Sequence, residues 1–376
     1  MKIGIVCYPT YGGSGVVATE LGLALSQKGH EVHFVTYSQP VRLDLLNPNV
    51  HFHEVHVPDY ALFHYQPYEL ALSSRLVNVI KTYGIDVLHV HYAIPHAYAA
   101  YMTKKMLEDI GIALPIVTTL HGTDITLVGS HPFYKAAVTF SINQSDVVTT
   151  VSDSLKKDTE KLFQIHKQIK VIPNFIDLKT HVNPQKCERH ILAEPHERII
   201  SHISNFRPVK RIIDVIKVFK KIRENIPAKL IMVGDGPEKE GAEQLVQDYG
   251  LQNDVVFLGK SREINQVLCY SDLFLLPSEA ESFGLAALEA MAFGVPVLSS
   301  NTGGLPELNI DGETGFLCDV GDVDAMAKQS LKILSKTDVL DRFKQNAKKR
   351  SLSFDIHDIV PMYETSYKDA IRLVQK

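Results

Sequence analysis

Two glutamates, Glu281 and Glu289, flank a turn whose residues suit the seating of a phosphate. Seven residues lie between them, within LPSEAESFGLAALEAMAFGVPVLSSNTGGLPE at 276–307. The apolar run 273–277 ends at Pro277, as a buried strand that stops there would. Phe283, Gly284 and Leu285 then open a pattern with Leu285, Leu288, Ala292 and Phe293 at helical spacing, closed by Gly294. Gly284 and Leu285 therefore fall in the first turn of a helix. Free backbone N–H groups and the positive end of the helix dipole favour an anion there. A carboxylate at each end can hold sugar hydroxyls while the amides between them hold phosphates. The plain alternative is a strand–helix unit carrying two solvated glutamates. The strand, the glycine, both acids and the TGGLPE that follows agree better with a ligand site.

The run ESFGLAALEAMAFGVPV, followed by TGGLPEL, resembles the Glu-x7-Glu signature of retaining nucleotide-sugar glycosyltransferases. The resemblance implies an α/β chain with the GT-B fold, two doubly wound Rossmann-like domains facing a cleft. It implies that Glu281 contacts the transferred sugar and Glu289 the ribose hydroxyls. Phe283, Gly284, Leu285 and the Gly13–Gly15 turn would border the phosphates, and the turn at Gly234 would lie near the nucleotide. The family usually carries an Arg and a Lys that grip the diphosphate. Lys210 matches that Lys, Asn205 stands where the Arg is common, and Arg207 is its shifted substitute. His121 corresponds to a histidine near the sugar. No covalent nucleophile stands out, so a front-face route with retained configuration is expected. Cations and amides suffice for the leaving diphosphate, so no cofactor and no metal is expected.

The elements that must position these groups follow in order. Residues 3–9 read as a strand, 11–15 as a glycine-rich turn, 16–29 as a helix and 31–37 as a second strand, which opens a parallel sheet. Gly13-Ser14-Gly15-Val16-Val17-Ala18 also fits the dinucleotide fingerprint, making a nicotinamide-dependent oxidoreductase the rival reading. That fingerprint needs a ribose-binding acid near the end of the second strand, and Thr36-Tyr37-Ser38 offers none. His51 and His53 share one face of the strand 51–57, a possible metal pair. Without a third ligand at a convincing spacing, that segment reads as a half-exposed strand. Strands at 86–92 and 115–124 bring Tyr92 and His121 to their C-terminal ends, where open α/β sheets bind ligands. Helices are expected at 96–109 and 210–224, a hairpin-like segment at 312–320, and a last helix over 356–375. The expected organisation is a first domain over 1–175, a linker over 176–197 and a second domain over 198–355. In the family, the last helix crosses back onto the first domain.

At 376 residues the chain exceeds one ordinary core, and two domains of roughly 150–200 residues are expected. A net charge of −4 gives no push toward nucleic acid or anionic membrane. No run approaches the roughly 18 apolar residues that span a bilayer, and the opening MKIGIVCYP reads as a strand, not a leader. A homo-oligomer is left open. Cys7, Cys187, Cys269 and Cys318 are far apart without a CxxC pair, which suits a reducing cytoplasm and argues against a zinc site.

CYPTYGGSGVVATELG, HVHYAIPHA, TTLHGTDIT and SNFRPVKR together resemble one branch of the family. That branch moves N-acetylglucosamine from UDP-N-acetylglucosamine to L-malate in the first step of bacillithiol biosynthesis. A small dicarboxylate needs amides, hydroxyls and a cation. Ser14, Tyr92, Thr119 and Thr123 are the acceptor-binding candidates, with Arg207 as a cation. A related transferase acting on a polysaccharide is the nearer alternative. No basic amphipathic stretch in the first domain suits a lipid-linked acceptor.

Overall fold

The computed structural model describes residues 1–10, 12–58, 65–179, 187–261 and 264–375. The chain forms two compact units, Met1–Asn174 with Ile356–Lys376, and Phe175–Asp355.

The first unit is built on seven strands: β1 (Lys2–Val6), β2 (Glu31–Thr36), β3 (Val50–Glu54), β4 (Val87–His91), β5 (Ile116–Leu120), β6 (Val147–Thr150) and β7 (Ile169–Val171). They lie in the order β3-β2-β1-β4-β5-β6-β7, and every pairing is parallel. β4, β5 and β6 are buried at every position, as strands covered on both faces must be. The strand order reverses between β1 and β4, the switch point at which such sheets bind ligands. The last helix, Ile356–Val374, belongs to this unit. Its Tyr367 hydroxyl lies 2.9 Å from His89 Nδ1, its Asp369 accepts from Lys170 Nζ at 2.7 Å, and its Glu364 meets both Lys28 and His30.

The second unit holds β8 (Arg198–Ile203), β9 (Ala228–Val233), β10 (Val255–Gly259), β11 (Leu273–Leu276), β12 (Val297–Ser300) and β13 (Gly315–Cys318). Their order is β10-β9-β8-β11-β12-β13, again all parallel. Ile216, Phe219, Leu230, Met232, Leu275 and Leu298 belong to its apolar core.

Several expectations are corrected. The segment at 312–320 is no hairpin: Gly315–Cys318 adds a parallel edge strand to β12. A Cβ on Gly315 would sit 1.7 Å from the Val297 carbonyl, so only glycine allows this pairing. The helix expected at 96–109 begins as a wide turn, Ala93–Ala97, before regular helix runs over Tyr98–Glu108. Pro95, which has no N–H to give, lies within that turn. Residues 176–197, expected as a linker, fall within the second unit, where Ile176 N donates to the Phe354 carbonyl at 3.1 Å; 180–186 lie outside the described residues. The cysteines are not four separate thiols. Cys187 and Cys269, 82 positions apart, form a disulfide with their Cα atoms 6.0 Å apart, while Cys7 and Cys318 are free and buried. The fold closes that sequence gap by setting the segment before Arg189 beside the helix Ile264–Tyr270, where Arg189 Nη1 donates to the Tyr270 carbonyl at 2.8 Å.

Candidate active site

In the second unit the groups gather at the C-terminal ends of β8, β9, β11 and β12. β11 delivers the loop 277–284, and Gly284 caps the helix Leu285–Ala292 with φ +98°. That conformation favours glycine, and a Cβ there would also meet Leu305 Cδ2 at 2.7 Å. A helix start leaves its first N–H groups outside the ladder, so Leu285 and its neighbours offer an anion seat. Lys210 Nζ lies 2.5 Å from Glu281 Oε2, both side chains half-buried, and Ser278 Oγ approaches the same oxygen at 3.5 Å. Backbone contacts hold this pair in place. Glu279 N donates to the Val209 carbonyl at 2.8 Å, and Gly304 N donates to the Glu281 carbonyl at 2.9 Å. Glu289 is buried about one turn along the helix.

Lys210 itself ends a short 3₁₀ turn, Pro208–Lys210, instead of opening the helix. Arg211 follows in the left-handed region at φ +53°, and the helix runs over Ile212–Arg223. Arg211 Nε donates to Asp214 at 2.6 Å, which holds the turn. With its amide oxygen facing Arg207, Asn205 accepts from Nε and Nη2 at 3.2 Å each, so the shifted Arg207 and Asn205 form one exposed polar unit. Gly234 lies against this loop at φ +136°, where a Cβ would sit 1.7 Å from the Ser204 carbonyl. His202 ties β8 to β11 through Nδ1 and the Leu275 carbonyl at 2.8 Å. Burial pulls its pKa down to about 4, so the imidazole beneath the Lys210 turn is neutral.

In the first unit the groups cluster at the switch point. The helix Gly13–Gln27 starts beyond β1. Gly15 is required there, because a Cβ would lie 2.5 Å from the carbonyls of both Tyr8 and Thr10. Ser14 Oγ is 2.6 Å from the Tyr92 hydroxyl, and the Tyr92 ring lies 5.1 Å from that of His121. His121 Nε2 meets His91 Nδ1 at 2.8 Å, and His96 Nδ1 meets the His91 carbonyl at 2.5 Å. Asp124 gathers three backbone donors: Ala93 N at 2.8 Å, Gly122 N at 3.0 Å and His121 N at 3.2 Å. It thereby fixes the two segments that carry His91 and His121. Burial pushes its carboxyl up to about 6, while those N–H groups pull it back. Burial also pulls His121 down to about 3 and His96 to about 4, so both rings are neutral hydrogen-bonding groups.

Of the expected residues, Ser14, Tyr92 and His121 come together. Thr123 is half-buried at the start of the turn Thr123–Leu127, and Gly13 is exposed beside Ser14. Thr119 is corrected: it is fully buried, and its hydroxyl meets His89 Nε2 and Thr149 Oγ1 at 2.7 Å each. It braces β4 against β5 and β6 from within the sheet. The Phe283 ring packs edge-on against Phe354 at 5.5 Å, leaving its backbone for any ligand role. Asp124 and His96 were missed as members of the cluster. The carboxylate three residues after His121 was the available signal.

The sequence matches two family models, "Glycosyltransferase Family 4" over residues 11–180 and "Glycosyl transferases group 1" over residues 185–350. The N-acetyl-alpha-D-glucosaminyl L-malate synthase of Bacillus anthracis is 46% identical over 375 residues, covering 99% of this chain and 98% of that protein. Among solved structures, a sucrose-phosphate synthase from Thermosynechococcus elongatus superposes with a TM-score of 0.83 at 20% identity, covering 98% of each chain. The Anabaena HepE protein in complex with UDP and glucose superposes at 0.80 with 21% identity, covering 98% of this chain and 99% of that one. These two likenesses establish the architecture, two Rossmann-like units of the GT-B fold.

Proposed function

Because this chain belongs to the glycosyltransferases, we propose that it moves N-acetylglucosamine from UDP-N-acetylglucosamine to L-malate, the first step of bacillithiol biosynthesis. In this reading the second unit binds the donor and the first unit the acceptor. The observation that carries it is the Lys210–Glu281 pair at the helix start capped by Gly284. The near full-length relative supports the choice of acceptor.

As the bond from the anomeric carbon to the diphosphate lengthens, negative charge grows on phosphate and the sugar becomes oxocarbenium-like. Lys210, Arg207 and the amides from Gly284 onward meet the phosphate charge. These groups supply the compensation a metal would otherwise give, so transfer proceeds without one. Glu281 holds the sugar and Glu289 the ribose. The malate hydroxyl attacks from the face the diphosphate leaves, and its proton passes to the departing phosphate oxygen. The anomeric configuration is retained. Ser14, Tyr92 and Thr123 supply hydrogen bonds to malate, with neutral His121 beside them. The reading assigns the enzyme to the cytoplasm; among the described residues no helix is long and apolar enough to cross a membrane. The Cys187–Cys269 disulfide runs against that assignment, since such bonds are rare in reducing compartments.

The test is incubation with UDP-N-acetylglucosamine and a panel of small hydroxy acids, scoring UDP release. Release with malate well above hydrolysis is expected. No release with malate but release with another acid would overturn the acceptor, and none with any would overturn the donor as well. NMR of the first-formed product reads the anomer, and an inverted product would refute the front-face route.

A further inference from the structure

Far along the first sheet from the residues just described, three potential metal ligands converge at its edge strand. Glu31 and His33 alternate on β2 and point to the same face as His51 on β3, whose Cα is in register with that of His33. One ligand atom from each of Glu31, His33 and His51 lies within 4.8 Å of the other two. Oε1 is 3.0 Å from His33 Nε2 and 3.6 Å from His51 Nε2. Tetrahedral zinc, with bonds of about 2.0–2.2 Å, sets neighbouring ligand atoms roughly 3.3–3.6 Å apart.

The surroundings also suit a metal. His33 is fully buried, and its ring is stacked on those of His51 at 4.6 Å and His53 at 5.2 Å. Its other nitrogen, Nδ1, meets His53 Nε2 at 2.9 Å. That is the outer hydrogen bond that fixes the tautomer and aim of a metal-bound imidazole. Lys2 pairs with the other carboxylate oxygen, Oε2, at 3.4 Å, which leaves Oε1 to face the two rings. The side chains of His51 and Glu31 are about one-third exposed, so an ion can enter from solvent and keep a water as fourth ligand.

We infer that Glu31, His33 and His51 form a binding site for a divalent transition-metal ion, with two imidazoles and one carboxylate as donors and His53 as outer support. Imidazole–carboxylate sets suit zinc and its first-row neighbours better than magnesium or calcium. A bound ion would clamp the edge strand β3 to β2, remote in function from the transfer chemistry.

The experiment uses the full chain, stripped with chelator and titrated with zinc in competition with a chromophoric chelator. Cobalt(II) serves as a spectroscopic probe. One tight equivalent is expected, with the visible absorption of a four-coordinate cobalt site and a zinc-dependent rise in thermal midpoint. His51→Gln and Glu31→Gln, at partly exposed positions, should each weaken that equivalent at least tenfold while leaving the far-UV spectrum unchanged. His53→Phe should weaken it about 10–100-fold without changing the stoichiometry. Absence of micromolar binding by the wild type would overturn the site. So would equal binding by the His51→Gln and Glu31→Gln variants, which would place the ion on other histidines.

Discussion

The Lys210 ammonium stands 2.5 Å from the Glu281 carboxylate although 71 positions separate them in the chain. Each comes from a different βα turn of the second unit, and the backbone bond from Glu279 N to the Val209 carbonyl fastens the two turns together. Each side chain is only 17% exposed, and the cost of desolvating both charges offsets most of their attraction, so the pair's net contribution to stability is small. Its value lies in holding a cation and an acid ready at the start of one helix.

Replacing either partner should therefore affect turnover far more than folding. Lys210→Ala should lower kcat by about 10²–10³-fold, the usual loss on removing one group that stabilises transition-state charge. Glu281→Gln should do likewise with the backbone intact. Initial rates of UDP release, alongside far-UV circular dichroism, check both. Near wild-type kcat in either variant would remove that residue from the mechanism.

Gly303→Ala should act on the same chemistry from a distance. Gly303 has φ +55°, and a Cβ there would lie 1.9 Å from the Glu281 carbonyl oxygen. Glu281 must move to make room, and a displacement of about 1 Å can cost on the order of 10²-fold in rate. The variant should lose kcat and stability together, the latter by more than about 1 kcal/mol. Urea midpoints and initial rates would show it.

Asp124→Ala should destabilise the first unit. It would leave the N–H groups of Ala93, His121 and Gly122 buried without their acceptor. The cost is about 3 kcal/mol, from a net loss of order 1 kcal/mol per donor. A lowered urea midpoint at unchanged slope is the expected reading.

Acid should unfold the protein from a relatively high pH. Burial lowers His89 and His121 to about 3 and His96 and His202 to about 4, against an ordinary value near 6.5. A depressed folded-state pKa means that the unfolded chain binds the proton more readily. The stability is complete above about 6.5 and is lost as pH falls toward 3–4, by about 1.4 kcal/mol per pH unit for each independent ring. Asp124 runs the other way: its pKa is raised to about 6, so its own contribution is fullest below about 4 and declines as pH rises through 6. The histidines outnumber it, so the net trend is loss of stability between pH 6.5 and 4. Urea midpoints across that range check the sign; His121→Gln should flatten the slope.

Much of the fold was legible because parallel strands announce themselves as short apolar runs between glycine-closed helices. β11 and the helix Leu285–Ala292 follow directly from LFLLP and the spacing after Gly284. β13 did not, because a four-residue edge strand and a turn share the same composition. Lys210 was identified from its neighbours, but its 3₁₀ turn was hidden, since it depends on Arg211 adopting positive φ beside Asp214. Thr119 was misread because a strand-end hydroxyl can face a ligand or the sheet interior, and only the positions of His89 and Thr149 decide which. The disulfide and the Glu31–His33–His51 group join residues that only three-dimensional register brings together.

The helix Ile356–Val374 completes a body whose sheet is built from residues before 172. Its Tyr367 partners His89 across 278 positions of chain. A ribosome must therefore deliver the whole second body before the earlier one can finish its own interior. A nascent chain stalled short of 356 would display an unfinished apolar surface, which this helix seals when it arrives.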